Sequence, residues 1–530
     1  MKTDGAPLVT SPYVAQTPVY PGLETRSFDD VDILDFTAEI DLGWALLTSV
    51  TSGLDREARS ITGSPPGTLA GLDSFLAFQL NTQITLGNWP PVGPTGSVAY
   101  DQNNIVAGGF DHHTITDRFI QEVRLVSPAD QRLRWTAGLF YKKSDDQIVL
   151  AIPVIANPAR SYLQEPFDLI FDSPTNKYRN ELKELAAYGE VSYDLTDTVE
   201  VTLGARLSSP EQTITPFGGD SVFVDTPTDN LDLGYDETWF APKLVLAWRP
   251  NDGLLTYASY AKGFRPGNAN TLFLFSIPNA ERARAAALLN NDAATAALAD
   301  RDLAYYRDNF SYEGDELNSF EAGLKWSSAG RRLQVTAAAY RMEWEDMIMP
   351  AETPFVPVTS TTGNPSVFHA NVGKAESQGI EFELTALATD RLMLRLAGDL
   401  LDTEFKHAPV AGESFAFAPE YSLSVMADYN LPLTTNWSAN LHINGSWIDE
   451  QKWSNSYGTS LNVSGSMLPS RHTVNARVTL RDTAEHWRIV LFARNLTNEQ
   501  DLVARVQNGG GDPLVFTLPR SIGVEIGWRL

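Results

Sequence analysis

Cysteine is absent from the 530 residues, which removes disulfides, thiolate metal sites and cysteine nucleophiles from consideration. Long apolar runs are absent too. Although 43% of the chain is hydrophobic, no stretch approaches the roughly 18 apolar residues of a membrane-spanning helix. Basic residues are scarce: 40 Lys and Arg stand against 66 Asp and Glu, a net charge of −26. Phosphate neutralisation needs clustered cations, so nucleic acid is not an expected partner. No glycine-rich phosphate loop, His-Glu-x-x-His or Gly-x-Ser-x-Gly occurs, so neither an enzyme nor a bound cofactor is expected. The fixed period of a propeller or solenoid is missing. The start, Met1-Lys2-Thr3-Asp4-Gly5-Ala6-Pro7, lacks the roughly 7 to 15 apolar residues of a signal peptide. The chain is therefore expected either to stay inside the cell or to have lost its front.

What is present is alternation. In Ser521 to Leu530, Ile522, Val524, Ile526, Trp528 and Leu530 fall on one face of an extended chain and Ser521, Gly523, Glu525, Gly527 and Arg529 on the other. Ten residues tilted by roughly 45° span the hydrocarbon of a bilayer, so this reads as a transmembrane β-strand with lipid on one side and a polar lumen on the other. The same pattern recurs upstream, as in Val199, Val201, Leu203, Ala205 and Leu207. Residues 1–30, with Pro7, Pro12, Pro18 and Pro21, read as loop. From Phe36 onward about 17 strands follow in pairs.

The connections alternate between short and long. Short turns sit at Asp41 to Trp44, Pro128 to Asp130, Leu195 to Asp197, Pro250 to Gly253, Ser328 to Gly330, Ala388 to Asp390 and Asp482 to Ala484. Long loops run from Ile61 to Asp111, Pro153 to Asn180, Glu211 to Tyr235, Pro266 to Gly314, Pro350 to Phe368, Lys452 to Ser470 and Asn498 to Arg520. Short periplasmic turns opposite long extracellular loops are the signature of an outer-membrane barrel. One loop has helical composition over Asn279 to Arg307, interrupted at Asn290-Asn291-Asp292. It reads either as a helix-turn-helix flap over the mouth or as a helical loop packed on its neighbours.

Loop aromatics are the ligand-contact candidates: Tyr305, Tyr306, Phe310, Trp453 and Tyr457 are suited to stacking on a planar or sugar-like ligand. The alternative is membrane-interface anchoring. His112-His113 point to opposite faces of an extended segment, which defeats chelation. His442 on a strand could face a serine, the pair used by barrel phospholipases. The acidic run Asp220, Asp225, Asp229, Asp232, Asp236 and Glu237 lacks calcium-loop spacing and reads as solvated loop.

Three segments carry a resemblance: Tyr257-Ala-Ser-Tyr-Ala-Lys-Gly-Phe-Arg-Pro-Gly267, Leu317-Asn-Ser-Phe-Glu-Ala-Gly-Leu-Lys325 and Asn371-Val-Gly-Lys-Ala-Glu-Ser-Gln-Gly-Ile-Glu381, with Asn495-Leu-Thr-Asn498 before the last loop. With them the chain resembles the barrel of TonB-dependent outer-membrane receptors. The resemblance implies an all-β fold, a large antiparallel transmembrane β-barrel holding about 17 of that family's 22 strands. It implies N-terminal truncation, residues 1–30 being an extracellular loop remnant and 31–530 the C-terminal part of the barrel, with no plug. The implied function is uptake of an iron chelate, cobalamin, sugar or similar small-molecule nutrient across the outer membrane. The implied partners are outer-membrane lipid and lipopolysaccharide and, in a full-length form, a TonB-type energy-coupling protein. A passive porin-like channel and a soluble all-β binding protein are the competing readings. Counting parity, the first and last strands run in the same direction, so no regular antiparallel ladder is expected between Phe36 to Leu42 and Ile522 to Trp528.

Overall fold

A computed structural model of the chain describes residues 26–64, 105–151, 154–156, 174–216, 233–271, 273–360, 365–407, 411–453, 467–505 and 514–529. Strand β1 (Arg26–Asp41) turns into β2 (Leu46–Ser64). Gly43 makes that turn with φ of 80°, and its N–H donates to the Asp41 carboxylate at 2.7 Å. The meander continues through β3 (Ile105–Val126), β4 (Leu133–Ala151), β5 (Pro174–Asp194), β6 (Val199–Pro216), β7 (Trp239–Asn251) and β8 (Leu254–Arg265). After a long loop come β9 (Asp315–Ser327), β10 (Leu333–Glu352), β11 (Val367–Leu387), β12 (Leu392–Phe405), β13 (Tyr421–Pro432) and β14 (Trp437–Ile448). The last three are β15 (Arg471–Asp482), β16 (Trp487–Arg494) and β17 (Ser521–Trp528). Each pairs antiparallel with the next, in one sheet that also includes the short segments Val154–Ala156 and Leu233–Asp236. Among the described residues no ladder joins β1 to β17.

The register sorts side chains by face. Across β4 to β7, Leu139, Ala187, Leu207 and Phe240 stand directly opposite one another, and one residue away the row is Gly138, Tyr188, Arg206 and Ala241. Across β14 to β17, Leu441, Val478, Leu491 and Val524 share a row, and His442, Arg477, Phe492 and Gly523 the next. The apolar rows face lipid and the polar rows the lumen, because a barrel buries neither face against a second sheet. Glu321, Lys325, Glu381 and Glu383 all fall in lumenal rows. A polar trio on the lipid side, Ser49, Thr51 and Gln121, satisfies itself: Thr51 Oγ1 donates to Gln121 Oε1 at 2.6 Å, and Gln121 Nε2 to Ser49 Oγ at 3.0 Å. At the short-turn end Trp44 stacks near Trp135, with ring centroids 6.1 Å apart, and Trp487 lies tilted beside Trp528 at 6.4 Å, where interfacial aromatics are expected.

The strands reach further than expected at the long-loop end. β1 begins at Arg26, so residues 26–30 are strand and not loop, consistent with the absence of proline after Pro21 in that stretch. β3 begins at Ile105, inside the expected loop, and places His112 opposite Ser60 and His113 opposite Arg59. These extensions rise above the lipid, where both faces meet water and alternation gives no signal. On their outer face the register aligns Asp32, Asp55, Asp117, Asp145 and Glu181 across five adjacent strands, with Arg179 paired to Asp145 and Lys183 to Glu181.

Candidate functional site

The wall is notched at the long-loop end. β6 runs past Ser208, which pairs with Trp239 at the end of its ladder with β7, to Pro216, and β10 runs past Glu345, which pairs with Glu316 at the end of its ladder with β9, to Glu352. Between them β7, β8 and β9 have only 13, 12 and 13 residues. The loop from β8 to β9 fills this notch with α1 (Phe273–Leu289) and α2 (Ala293–Asp308). The break at residues 290–292 is where composition predicts it, but α1 starts earlier than expected. Asp292 caps α2, accepting from Thr295 N at 3.0 Å and Thr295 Oγ1 at 2.7 Å. Those bonds hold its carboxyl below the usual carboxylate range. Phe273, Leu274, Ile277 and Ala280 of α1 meet Leu303 and Tyr306 of α2, and the cluster closes on Ile214 of β6 and Phe368 of β11. The helices are thus packed on the wall.

The neck of this loop is held at many points. Asn268–Ala269 pairs with Ser311–Tyr312. Glu237 accepts the Gly314 N–H at 2.8 Å and the Trp239 indole N–H at 3.0 Å. Asn270 donates to the carbonyls of Asn309 and His369, both at 2.9 Å, and accepts the His369 N–H at 2.7 Å. Arg265, last in β8, donates through Nε at 3.3 Å and through Nη2 to Asp315, first in β9, and its Nη2 also reaches the Ile348 carbonyl at 3.1 Å. Asp315 is 1% exposed and accepts the Ile348 N–H at 2.9 Å. On the far side Asp302, fully buried, accepts from Arg301 and from Val358 N at 2.6 Å, tying α2 to the next loop.

Tyr305, Tyr306 and Phe310 come together, but around protein rings. Tyr306 is 0% exposed with its ring 4.7 Å from that of Phe273, and burial pushes its phenol up to about 12. Phe310 lies in the same cluster. Tyr305 is partly buried, edge-on to Phe355 and Phe368 at 5.3 and 5.7 Å. Trp453 belongs to a separate group, edge-on to Phe417 at 6.0 Å, and Tyr457 lies outside the described residues. Of the acidic run, Asp220, Asp225, Asp229 and Asp232 also lie outside them, while Glu237 is the neck acceptor just described. His442 pairs with Asp428 at 2.9 Å and stands opposite Arg477, so the serine partner considered for it is not what it meets. Arg265 was read in the sequence only as part of the Tyr257–Gly267 motif and Asp315 not at all; the signal for the pair is position, as the strand residues flanking the helical loop.

The sequence motifs form repeated locks on the lumenal wall. The Tyr257 ring lies across Gly323, where a Cβ would come within 2.7 Å of it, and its hydroxyl donates to Glu321. In the same way Tyr340 covers Gly379, and Tyr188 covers Gly138 and donates to Glu122. Only glycine leaves room for these rings. Asn371 fills the bulge at Trp344/Met347, donating to the carbonyls of Glu313 at 2.8 Å and Asp346 at 2.9 Å. Asn495 donates to the carbonyls of Glu499 and Leu518 at 2.7 and 2.8 Å and so closes the base of the last loop. These motifs maintain register and loop closure.

A family model described as "TonB dependent receptor-like, beta-barrel" matches residues 13–496. The chain belongs to that family. Its members are outer-membrane transporters and not enzymes, and this TonB-dependent receptor barrel shares their fold with solved structures of low identity. The ferric yersiniabactin uptake receptor FyuA from Yersinia pestis is 12% identical with a TM-score of 0.62, over 94% of this chain and 61% of that one. The siderophore receptor PiuA from Acinetobacter baumannii is 14% identical with a TM-score of 0.62, over 96% and 65%. The copper transporter OprC is 11% identical with a TM-score of 0.60, over 94% and 65%. The TonB-dependent receptor barrel described here thus spans less than two thirds of these relatives' length.

Proposed function

We propose that this TonB-dependent receptor barrel, residues 31–530 with the upstream strand residues 26–30, forms the wall through which a scarce small-molecule nutrient enters the cell. The observation that carries the reading is the two-faced wall: apolar rows outside, hydrogen-bonded charged rows inside, and a built helical loop at one mouth. The names of similar structures, two siderophore receptors and a copper transporter, favour a metal chelate or metal ion among the nutrients. Tyr305 and Trp453, the partly exposed aromatics of the mouth, are the proposed stacking contacts. Outer-membrane lipid and lipopolysaccharide surround the apolar rows, and a TonB-type protein supplies energy. The test is uptake of radiolabelled iron chelates by cells expressing the full-length receptor, with and without the coupling protein. Accumulation above the external concentration that vanishes without the coupling protein supports the reading. Passage of small solutes that is indifferent to the coupling protein would instead mark a passive channel.

A further inference from the structure

The outer face of the wall carries charge toward its long-loop end, and the charge is divided by side. Counting by twos from the apolar row through Leu139, this face holds Lys143 and Asp145 on β4. Their row mates are Phe119 and Asp117 on β3, Gly53 and Asp55 on β2, and Leu34 and Asp32 on β1. Asp32, Asp55 and Asp117 are exposed, stand side by side, and have no ion pair among the described residues. On β4 and β5 cations prevail, since Lys143, Lys177, Arg179 and Lys183 share the face with Asp145 and Glu181. Arg179 pairs with Asp145, and Lys183 pairs with Glu181 at 2.6 Å, whereas Lys143 reaches Glu181 only at 3.9 Å. The acids of this side are thus balanced within it, with Lys143 and Lys177 in excess. The boundary between acid and base falls between β3 and β4.

Beside the acids lies a groove of about 530 Å³ lined by Leu34, Phe119 and Lys143, with Gly53 as its floor. An added Cβ at Gly53 would meet nothing within 4 Å, and Leu34 and Phe119 on either side are 78% and 44% exposed. The sheet therefore leaves a dent next to an unneutralised acidic edge. Like charges directly opposite one another destabilise a sheet, so the arrangement gains when cations from outside face it. Phosphates of the outer leaflet do not match this surface, because they fit the cations of β4 and β5 and are repelled by the acids of β1 to β3. A second copy does match. Both copies sit in the membrane the same way up, so one patch serves both only through a two-fold axis along the membrane normal. Such an axis lays the left side of one face on the right side of the other. A face that is acidic on one side and basic on the other is then complementary to itself.

We propose that the receptor pairs with a second copy of itself through the outer faces of β1 to β5, about a two-fold axis running between β3 and β4. Asp32, Asp55 and Asp117 of each copy face the side of the other that carries Lys143, Lys177 and Lys183, and the groove over Gly53 lies inside the seam. Opposite charges there set the register and orientation of the pair more than its affinity. The pairing needs only the barrel and its orientation in the membrane, and it does not depend on which nutrient enters.

The test is made on the full-length receptor, with its mass in mild detergent read by sedimentation and its contacts in native outer membranes read by crosslinking. Wild type should sediment as a dimer at low ionic strength and dissociate as salt is raised, since exposed charges are screened. D55K/D117K and K143E/K183E should each be monomeric, because like charges then meet across the axis, and each should keep the heat-modifiable mobility of a folded barrel. Co-expressed, the two variants should recover a dimer containing one of each, because both halves of that seam are again opposite in sign. The chain lacks cysteine, so F119C, beside the axis, should crosslink to its own copy through a short bis-maleimide. F240C, on the outer face of β7, should not. The proposal is overturned if wild type is monomeric at low ionic strength, if either reversed variant dimerises as wild type does, or if co-expression yields no heterodimer. Charge reversal that alters only the lipopolysaccharide carried through purification, with no change in mass, also overturns it and makes this face a lipid surface. Uptake is not the readout, so any of these failures leaves the receptor reading standing.

Discussion

At the scale of single residues, the wall is decided by which side of a two-residue period each side chain occupies. Val478 stands between Leu441 and Leu491, while Arg477 stands between His442 and Phe492. Val478→Arg should therefore destabilise the barrel by about 2 to 4 kcal/mol if it lies near the bilayer midplane, and Arg477→Ala should cost little. Urea titration in lipid vesicles compares the two, and equal effects would reverse the facing assigned here. Lipid-side residues such as Val478 were legible in the sequence because hydrocarbon tolerates only apolar side chains. The roles of the loop side chains were not. Tyr306 and Phe310 look like exposed loop aromatics in a linear chain, but Tyr306 recurs with Ala299 and Leu303 at helical spacing as a buried stripe of α2, and Phe310 joins the same cluster just past the helix end. Arg265 has the opposite history, since nothing local distinguishes a fixed arginine from a mobile one; its fixation depends on Asp315 and Ile348, which are 50 and 83 residues away.

At the scale of elements, the strand centres and seven of the short turns could be read, while the turn between β13 and β14 and the upper strand ends could not. Above the lipid, β3 and β5 place charge on their outer face, and like carboxylates stand opposite one another. Directly opposed like charges destabilise a sheet, so Asp55→Asn, which relieves repulsion from both Asp32 and Asp117, should stabilise the barrel by about 0.2 to 1 kcal/mol. A higher midpoint in heat-modifiability gels is the expected outcome, and a lower one would mean that the cations of this face, Arg179, Lys143 and Lys183, compensate Asp55 as well as Asp145 and Glu181. The helical loop gives a pH-dependent prediction. The Asp292 carboxyl is held below its ordinary pKa of 3.8 by the bonds from Thr295, so its capping is complete above that value and is lost as pH falls through the lowered one. The first turn of α2 should stay capped down to about pH 4 and fray only as pH falls further, and Asp292→Ala should reproduce the fraying at neutral pH. Hydrogen exchange at residues 295–297, corrected for its intrinsic pH dependence, is the measurement.

For the whole molecule, all the short turns lie at one end and the helical loop at the other. Protease added to intact cells should therefore cut within residues 290–292, the exposed turn between α1 and α2, and spare residues 252–253 between β7 and β8. Cleavage at both sites would contradict the topology. That turn is joined to the wall only through the helices and a neck held by Asn270, Asn371, Glu237 and the Arg265–Asp315 pair. Because the neck brings the two ends together, lengthening what lies between them adds only about 0.6 kcal/mol of closure entropy for each doubling. A change of length confined to the exposed turn between α1 and α2 therefore leaves both the neck and the packed faces of the helices in place, and with them the register of β8 and β9.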